Sequence, residues 1–215
     1  MEPDPQEQGT LAGNMETSFG RPLDTGEDII CFASGTMILT PSGERRIEHL
    51  FEGDIVVTLD SGPQPIRWIG SKTVRATGAL APVRFARGTI GNSRDLFVSP
   101  QHRMLLREAS MNTRSAQGEV LAPAAALVDD FRIGVAYGGL VVYHHVMFDQ
   151  HQIVIANGAA SESFHPGDGA LGTLDGQERE TLFRVFPTLR SDAGAYGNAS
   201  RPRLGFTETR ALRHA

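Results

Sequence analysis

The sequence predicts an all-β domain of short strands with one helix behind it. Three observations point there. Glycine (24) and proline (12) are abundant among the 215 residues, so turns recur at short intervals, a pattern that favours short strands over long helices. Between the turns lie short runs rich in β-branched and aromatic residues. The one stretch whose large apolar residues stand at helical spacing among Glu and Arg comes late, over residues 168–186.

The elements follow in order. Residues 1–28 are rich in Glu, Gly, Pro and Asp and poor in large apolar side chains, so they read as a disordered arm. Order begins at Ile29-Ile30-Cys31-Phe32. Residues 36–40 read as a strand, Pro41-Ser42-Gly43 as a turn, and residues 46–50 as a short turn of helix or a bent strand ended by Gly53-Asp54. Residues 55–59 and 64–69 are further strands, the second with its Pro65 near the start, where a missing N–H is tolerated. Residues 83–85, 96–98 and 103–106 continue the pattern. The Ala-rich stretch 120–128 suggests a helical turn. Residues 140–148 and 152–155 are strands flanking Asp149-Gln150-His151, and Asn157-Gly158 is a strong hairpin-turn pair. The helix over 168–186 stops at Pro187. From Leu189 the chain is rich in Gly, Ser, Ala and Arg and reads as a flexible tail with a last helical turn near 208–212. The expected organisation is thus an arm (1–28), a β domain (29–167) and a helical extension with its tail (168–215).

Composition narrows the function. The net charge of −5 gives no basic footprint for nucleic acid. No apolar run approaches the roughly 20 residues that span a bilayer, and the acidic N-terminus lacks the basic and apolar regions of a secretory signal. The compartment stays open between cytoplasm and export by a signal-independent route. There is one cysteine, Cys31, which excludes an internal disulfide and any multi-cysteine zinc site. His144-His145 look like a ligand pair, but neighbouring strand residues point to opposite faces. No metal or cofactor is expected.

Several blocks, taken together, resemble a known family. Cys31-Phe32-Ala33-Ser34-Gly35-Thr36, then Thr40-Pro41-Ser42-Gly43 and Gly53-Asp54-Ile55-Val56, are similar to the opening of Hint (hedgehog/intein-like) domains. Val98-Ser99-Pro100-Gln101-His102 resembles the family's second block, usually Thr-x-x-His. Val142-Tyr143 through His151 to Asn157-Gly158 resembles its penultimate block, and Glu162-Ser163-Phe164-His165-Pro166-Gly167 resembles a continuation common in bacterial members. The resemblance covers about two thirds of the chain. It implies a pseudo-twofold horseshoe of short strands and a self-acting cysteine autoprotease, with Cys31, Ser99, His102 and His151 as site residues.

The chemistry of those residues fits. The thiol of Cys31 can reach the carbonyl of Ile30 through a five-membered ring, so proximity is supplied by the chain itself. The departing Cys31 amine needs a proton, for which His102 is the candidate, and Ser99 can polarise the Ile30–Cys31 peptide. The product is a thioester resolved by water or a small nucleophile, with the protein's own N-terminal segment as substrate and a monomer as the working unit. Inteins that splice end in His-Asn followed by a nucleophile. Here Asn157-Gly158 leads into Ala159-Ala160-Ser161, so cleavage without splicing is expected. The β-branch of Ile30 hinders attack. The alternative is an inert Hint-fold binding or maturation module with Cys31 merely packed. A thiol hydrolase acting on external amides is a third reading.

Overall fold

The computed structural model describes residues 16–17, 30–107, 118–167 and 169–212. Fifteen strands are present among them: β1 (Glu16–Thr17), β2 (Phe32–Ala33), β3 (Met37–Thr40), β4 (Gly43–Arg46), β5 (Ile55–Thr58), β6 (Gly62–Pro65), β7 (Trp68–Arg75), β8 (Val83–Phe85), β9 (Leu96–Val98), β10 (Arg103–Arg107), β11 (Glu119–Pro123), β12 (Ile133–Tyr137), β13 (Leu140–Met147), β14 (Ile153–Ala156) and β15 (Ala159–Glu162). Three α-helices come after them, α1 (Ala170–Thr173), α2 (Gly176–Val185) and α3 (Phe206–Leu212).

The strands form two antiparallel sheets. One runs β1-β12-β8-β9-β2-β13-β7, the other β11-β10-β15-β14-β3-β4, with β5 also on β14 and β6 on β5. The main core is filled by Phe32, Ile38, Val56, Phe85, Leu96, Val98, Met104 and Val146, all essentially inaccessible. Each large apolar chain buried there is worth about 1.5–3 kcal/mol.

Alternation along β13 decides what else is near the site. Its even residues His144 and Val146 face one side, Val146 in the main core; its odd residues Val141, Tyr143 and Met147 face the other, where Cys31 and Ala33 pack with Val141 and Tyr143. Directly opposed residues of an antiparallel pair share a face. The register sets Trp68 against Met147, Gly70 against His145 and Lys72 against Tyr143, so all six lie on that second face.

Several expectations need correction. Most of the arm lies outside the described residues, but Glu16 and Thr17 pair with Tyr137 and Ala136. The stretch 120–128 begins as β11, and only residues 124–127 make a helical turn, of the tight 3-10 kind. The single helix over 168–186 is two, because Asp175 caps a new start: its carboxylate accepts from Glu178 N (2.8 Å) while Glu178 Oε2 accepts from Asp175 N (3.0 Å), a reciprocal pair that fixes a helix N-terminus. The tail is not loose over its described part. Leu189 and Tyr196 are buried, the Tyr196 hydroxyl donates to Phe148 O (2.9 Å), and the backbone around Pro202 and Leu204 bonds both sides of Leu121. A few large residues secure a segment whose average composition is polar. Among the described residues no helix is long and apolar enough to cross a membrane.

Candidate functional site

Ile30 and Cys31 are 4% and 1% exposed, so the peptide between them is enclosed. Each of its polar atoms has a partner. Its N–H, that of Cys31, donates to Ser99 Oγ (2.9 Å), and in the next peptide the Cys31 carbonyl accepts from Ser99 N (3.0 Å). Ser99 holds this place because β9 pairs with β2 (Phe32 opposite Val98) and then turns at Pro100, the turn closed by His102 N donating to Ser99 O (3.1 Å). On the other side His145 Nδ1 lies 2.8 Å from Ile30 O. A carbonyl only accepts, so Nδ1 carries the proton and Nε2 is bare in the neutral ring.

The Cys31 sulfur is 3.2 Å from His145 Nδ1 and 3.3 Å from Nε2. A sulfur in the ring plane and that close to both nitrogens would collide with the carbon between them. The thiol therefore lies over the ring, off the line of the Nε2 lone pair. Burial, followed by the charge of Glu178, pushes the Cys31 thiol well above its usual range, with Lys72 opposing. Burial also pushes His145 down to about 4, against the opposing bond to Ile30 O, so the ring is neutral around pH 7. It stacks on Trp68 at 6.0 Å and meets the edge of Phe164 at 5.1 Å.

Of the four residues singled out in the sequence, Cys31 and Ser99 come together as expected. His102 is buried against Phe32, ring centres 4.3 Å apart, and neither ring nitrogen has a hydrogen-bond partner. Burial pushes its pKa to about 3, helped by the charges of His145, Arg103 and His151. His151 stands elsewhere, at the base of β14. Its Nδ1 accepts from Ser200 N (3.0 Å), which leaves the proton on Nε2, 3.5 Å from Glu162 Oε2. That corner borders a cleft of about 520 Å³ lined by Asp60, Tyr196, Ser200 and Arg201. Asn157 closes the hairpin between β14 and β15 at φ 49°. Its side chain is fully engaged, Oδ1 accepting from Met37 N (2.7 Å) and Nδ2 donating to Asp95 O (2.8 Å). His144 bonds Ser34 Oγ (2.7 Å) on the face opposite His145, and no metal-binding cluster occurs among the described residues.

His145 is the residue the sequence did not single out for this role. Only strand alternation hinted that one of the two histidines shares a face with its cross-strand neighbours.

The model of the Hint domain matches residues 30–168. The chain belongs to the Hint-domain family. The fold is accordingly that of a self-processing domain. Similar solved structures include a bacterial intein-like domain from Clostridium thermocellum (12% identity, TM-score 0.41, covering 63% of this chain and 99% of that one). The MchDnaB-1 intein (14%, TM-score 0.38, 62% and 99%) and the gp41-1 intein (12%, TM-score 0.37, 61% and 96%) are others. No curated protein sequence matches the chain.

Proposed function

We propose that this Hint domain cleaves its own chain by an N–S acyl shift at Cys31. The observation that carries the reading is the triple placement at one peptide: a thiol one residue past the carbonyl it attacks, His145 Nδ1–H 2.8 Å from that carbonyl oxygen, and Ser99 Oγ 2.9 Å from the nitrogen that must leave. Cys31 Sγ bonds to the Ile30 carbonyl carbon, and the oxygen gathers negative charge against the His145 N–H, a donor fixed before the reaction. The carbon–nitrogen bond then breaks. The net proton movement is from sulfur to the Cys31 nitrogen, which takes its proton by way of Ser99. The neutral, unpaired His102 ring, in the turn that follows Ser99, relays a proton with no change of its own charge, one nitrogen accepting as the other donates. Water or a small nucleophile resolves the thioester and releases the segment ending at Ile30. His151 takes no step, since its contacts are with Ser200 and Glu162.

Splicing is not part of the reading. The Asn157 amide nitrogen is tied to Asp95 O inside a hairpin, and the chain runs on through β15. The inert-module alternative draws on one observation, the enclosure of Cys31 with its raised thiol. Intact mass of purified protein, with and without dithiothreitol or hydroxylamine and beside Cys31→Ala, separates the two. Self-cleavage gives a fragment beginning at Cys31, faster with thiol and absent in the variant. An unchanged full-length mass in every sample leaves the inert module.

A further inference from the structure

The His145 ring is poorly aimed to take the thiol's proton, because the sulfur lies over the ring and off the Nε2 lone pair. Another base is needed, and helix α2, which lies beyond the family-matched residues 30–168, brings a carboxylate to the site. Trp68, Gly70 and Lys72 of β7 share a face with Tyr143, His145 and Met147 of β13. Gly70 leaves a notch in that face between the two side chains of its own strand. A Cβ built there would stand 2.7 Å from the Trp68 ring and 3.2 Å from Glu178 Oε1, so the notch is filled by the indole and the carboxylate. Glu178 is 8% exposed, and its Oε1 is buried without a hydrogen-bond partner, although its Oε2 is used in the helix cap.

The helix is held over this face by specific contacts. Trp68 Nε1 donates to Thr181 Oγ1 (3.0 Å), and Lys72 Nζ donates to Thr173 O (3.3 Å). Leu174 and Leu182 pack with Ile30 and Trp68. An unpaired buried carboxylate oxygen is costly, and nothing in the packing of α2 requires it, because the cap uses only the other oxygen.

The structure assigns Glu178 as the proton acceptor for the Cys31 thiol, supplied to the Hint site by the C-terminal extension. The assignment rests on the acyl shift proposed above. The proton leaves Sγ for the carboxylate as sulfur bonds to the Ile30 carbon, and passes on to the Cys31 nitrogen as the carbon–nitrogen bond breaks. The buried site keeps one negative charge throughout, on the carboxylate at first, on the Ile30 oxygen against the His145 N–H in the adduct, and on the carboxylate again at the end. That balance answers the electrostatics. The ionised carboxylate at the Gly70 notch, opposite His145, opposes a thiolate at Cys31, but once protonated it no longer does. Burial, the larger influence, raises the Glu178 carboxyl, bringing its proton affinity toward that of the thiol. Lys72, whose charge acts on Cys31 and Glu178 alike, steadies whichever of the two is ionised.

Glu178→Gln tests this in the full chain, since Gln at this position preserves the reciprocal helix cap. Cleavage is followed by intact mass from pH 6 to 9. The wild type should rise and level off once Glu178 is ionised. E178Q should be at least tenfold slower at pH 7 and climb about tenfold per pH unit toward the wild-type rate, as hydroxide replaces the base. In parallel, carbon-13 labelling of the sole cysteine reads the thiol titration in a form slow enough to observe. Loss of the nearby charge should lower that titration, so E178Q has the more acidic thiol yet the slower cleavage. A purely structural residue would move neither in this way, and an electrostatic brake would make both cleavage and ionisation easier. Gly70→Ala, which drives a methyl into the notch, should slow cleavage in the same pH-dependent manner. E178Q with an unchanged profile, or with faster cleavage, overturns the assignment while leaving the acyl shift intact. A wild type that never yields the Cys31 fragment, even with thiol, fails the acyl shift itself.

Discussion

Two buried histidines, each against a different sheet, show how similar burial serves different ends. His145 on β13 and His151 before β14 are 2% and 5% exposed. Both are held by hydrogen bonds that fix which nitrogen carries the proton. At His145 the N–H is turned on the carbonyl of a peptide with a thiol beside it. At His151 the bare nitrogen is turned on the backbone of Ser200 and the N–H toward a carboxylate, so the ring joins the tail to β15. Burial alone does not distinguish a reactive histidine from a fastening one. The groups that face it do: a bond that can break in one corner, and only stable groups in the other.

Four changes would break or sharpen that contrast. Cys31→Ala should abolish cleavage outright, and any Cys31-start fragment seen by mass in that variant removes the nucleophile from its role. His145→Asn should reduce the cleavage rate on the order of 100- to 1,000-fold, the usual loss when a donor to a developing oxyanion is removed. A change of less than threefold in single-turnover kinetics would show that the carbonyl does not depend on that donor.

Acidification should then act through His145 and His102 together. Their pKa values of about 4 and about 3 in the folded chain lie below the ordinary 6.5. The unfolded chain therefore binds more protons as pH falls. Stability is fully present above pH 6.5 and is lost progressively as pH drops through the folded values, by several kcal/mol in all. Melting temperatures at pH 7, 5.5 and 4.5 should fall steeply, and His102→Asn should shallow the slope. A flat series would contradict burial of both rings in neutral form. The smallest effect is expected at the fastening corner. His151→Ala should leave cleavage within threefold of the wild type while costing about 1–3 kcal/mol of stability. Limited proteolysis should then open the chain near Ser200. A large loss of cleavage without loss of stability would bring His151 back into the chemistry.

Much of this was legible in the sequence for local reasons. Strands β8 and β9 have the residues expected of them, because short apolar runs closed by turns leave few alternatives. Asn157-Gly158 makes the hairpin it promised, with the positive φ that this pair tolerates. Cys31 and Ser99 meet because the family blocks carry them. Strands β12 and β15 were not anticipated, since Gly134 and the Ala-rich start of β15 dilute the β signal and pairing with neighbours decides their conformation. His145 escaped for a related reason: which histidine of the pair faces Cys31 depends on the register of β13 against β2, at least 110 residues away in the chain, and against β7, 65 to 79 residues away. Glu178 reads locally as a helix-start residue. That its second oxygen lies over Gly70 is a fact of tertiary packing alone.

The burial of Ile30 also governs the fate of a severed segment. Its side chain sits in a cluster with Trp68, Met147, Phe164 and Leu182, so the last residue of the departing segment is also a plug in the molecule's interior. Pulling it out opens an apolar hole, at a cost of about 1.5–3 kcal/mol for a side chain of this size. A severed segment would thus linger in its socket for a time set by that anchor. The free energy that holds it there is also lost to the remaining domain when it leaves, so the spent protein should be less stable than its precursor and bind an isoleucine-ended peptide weakly in the vacated hole.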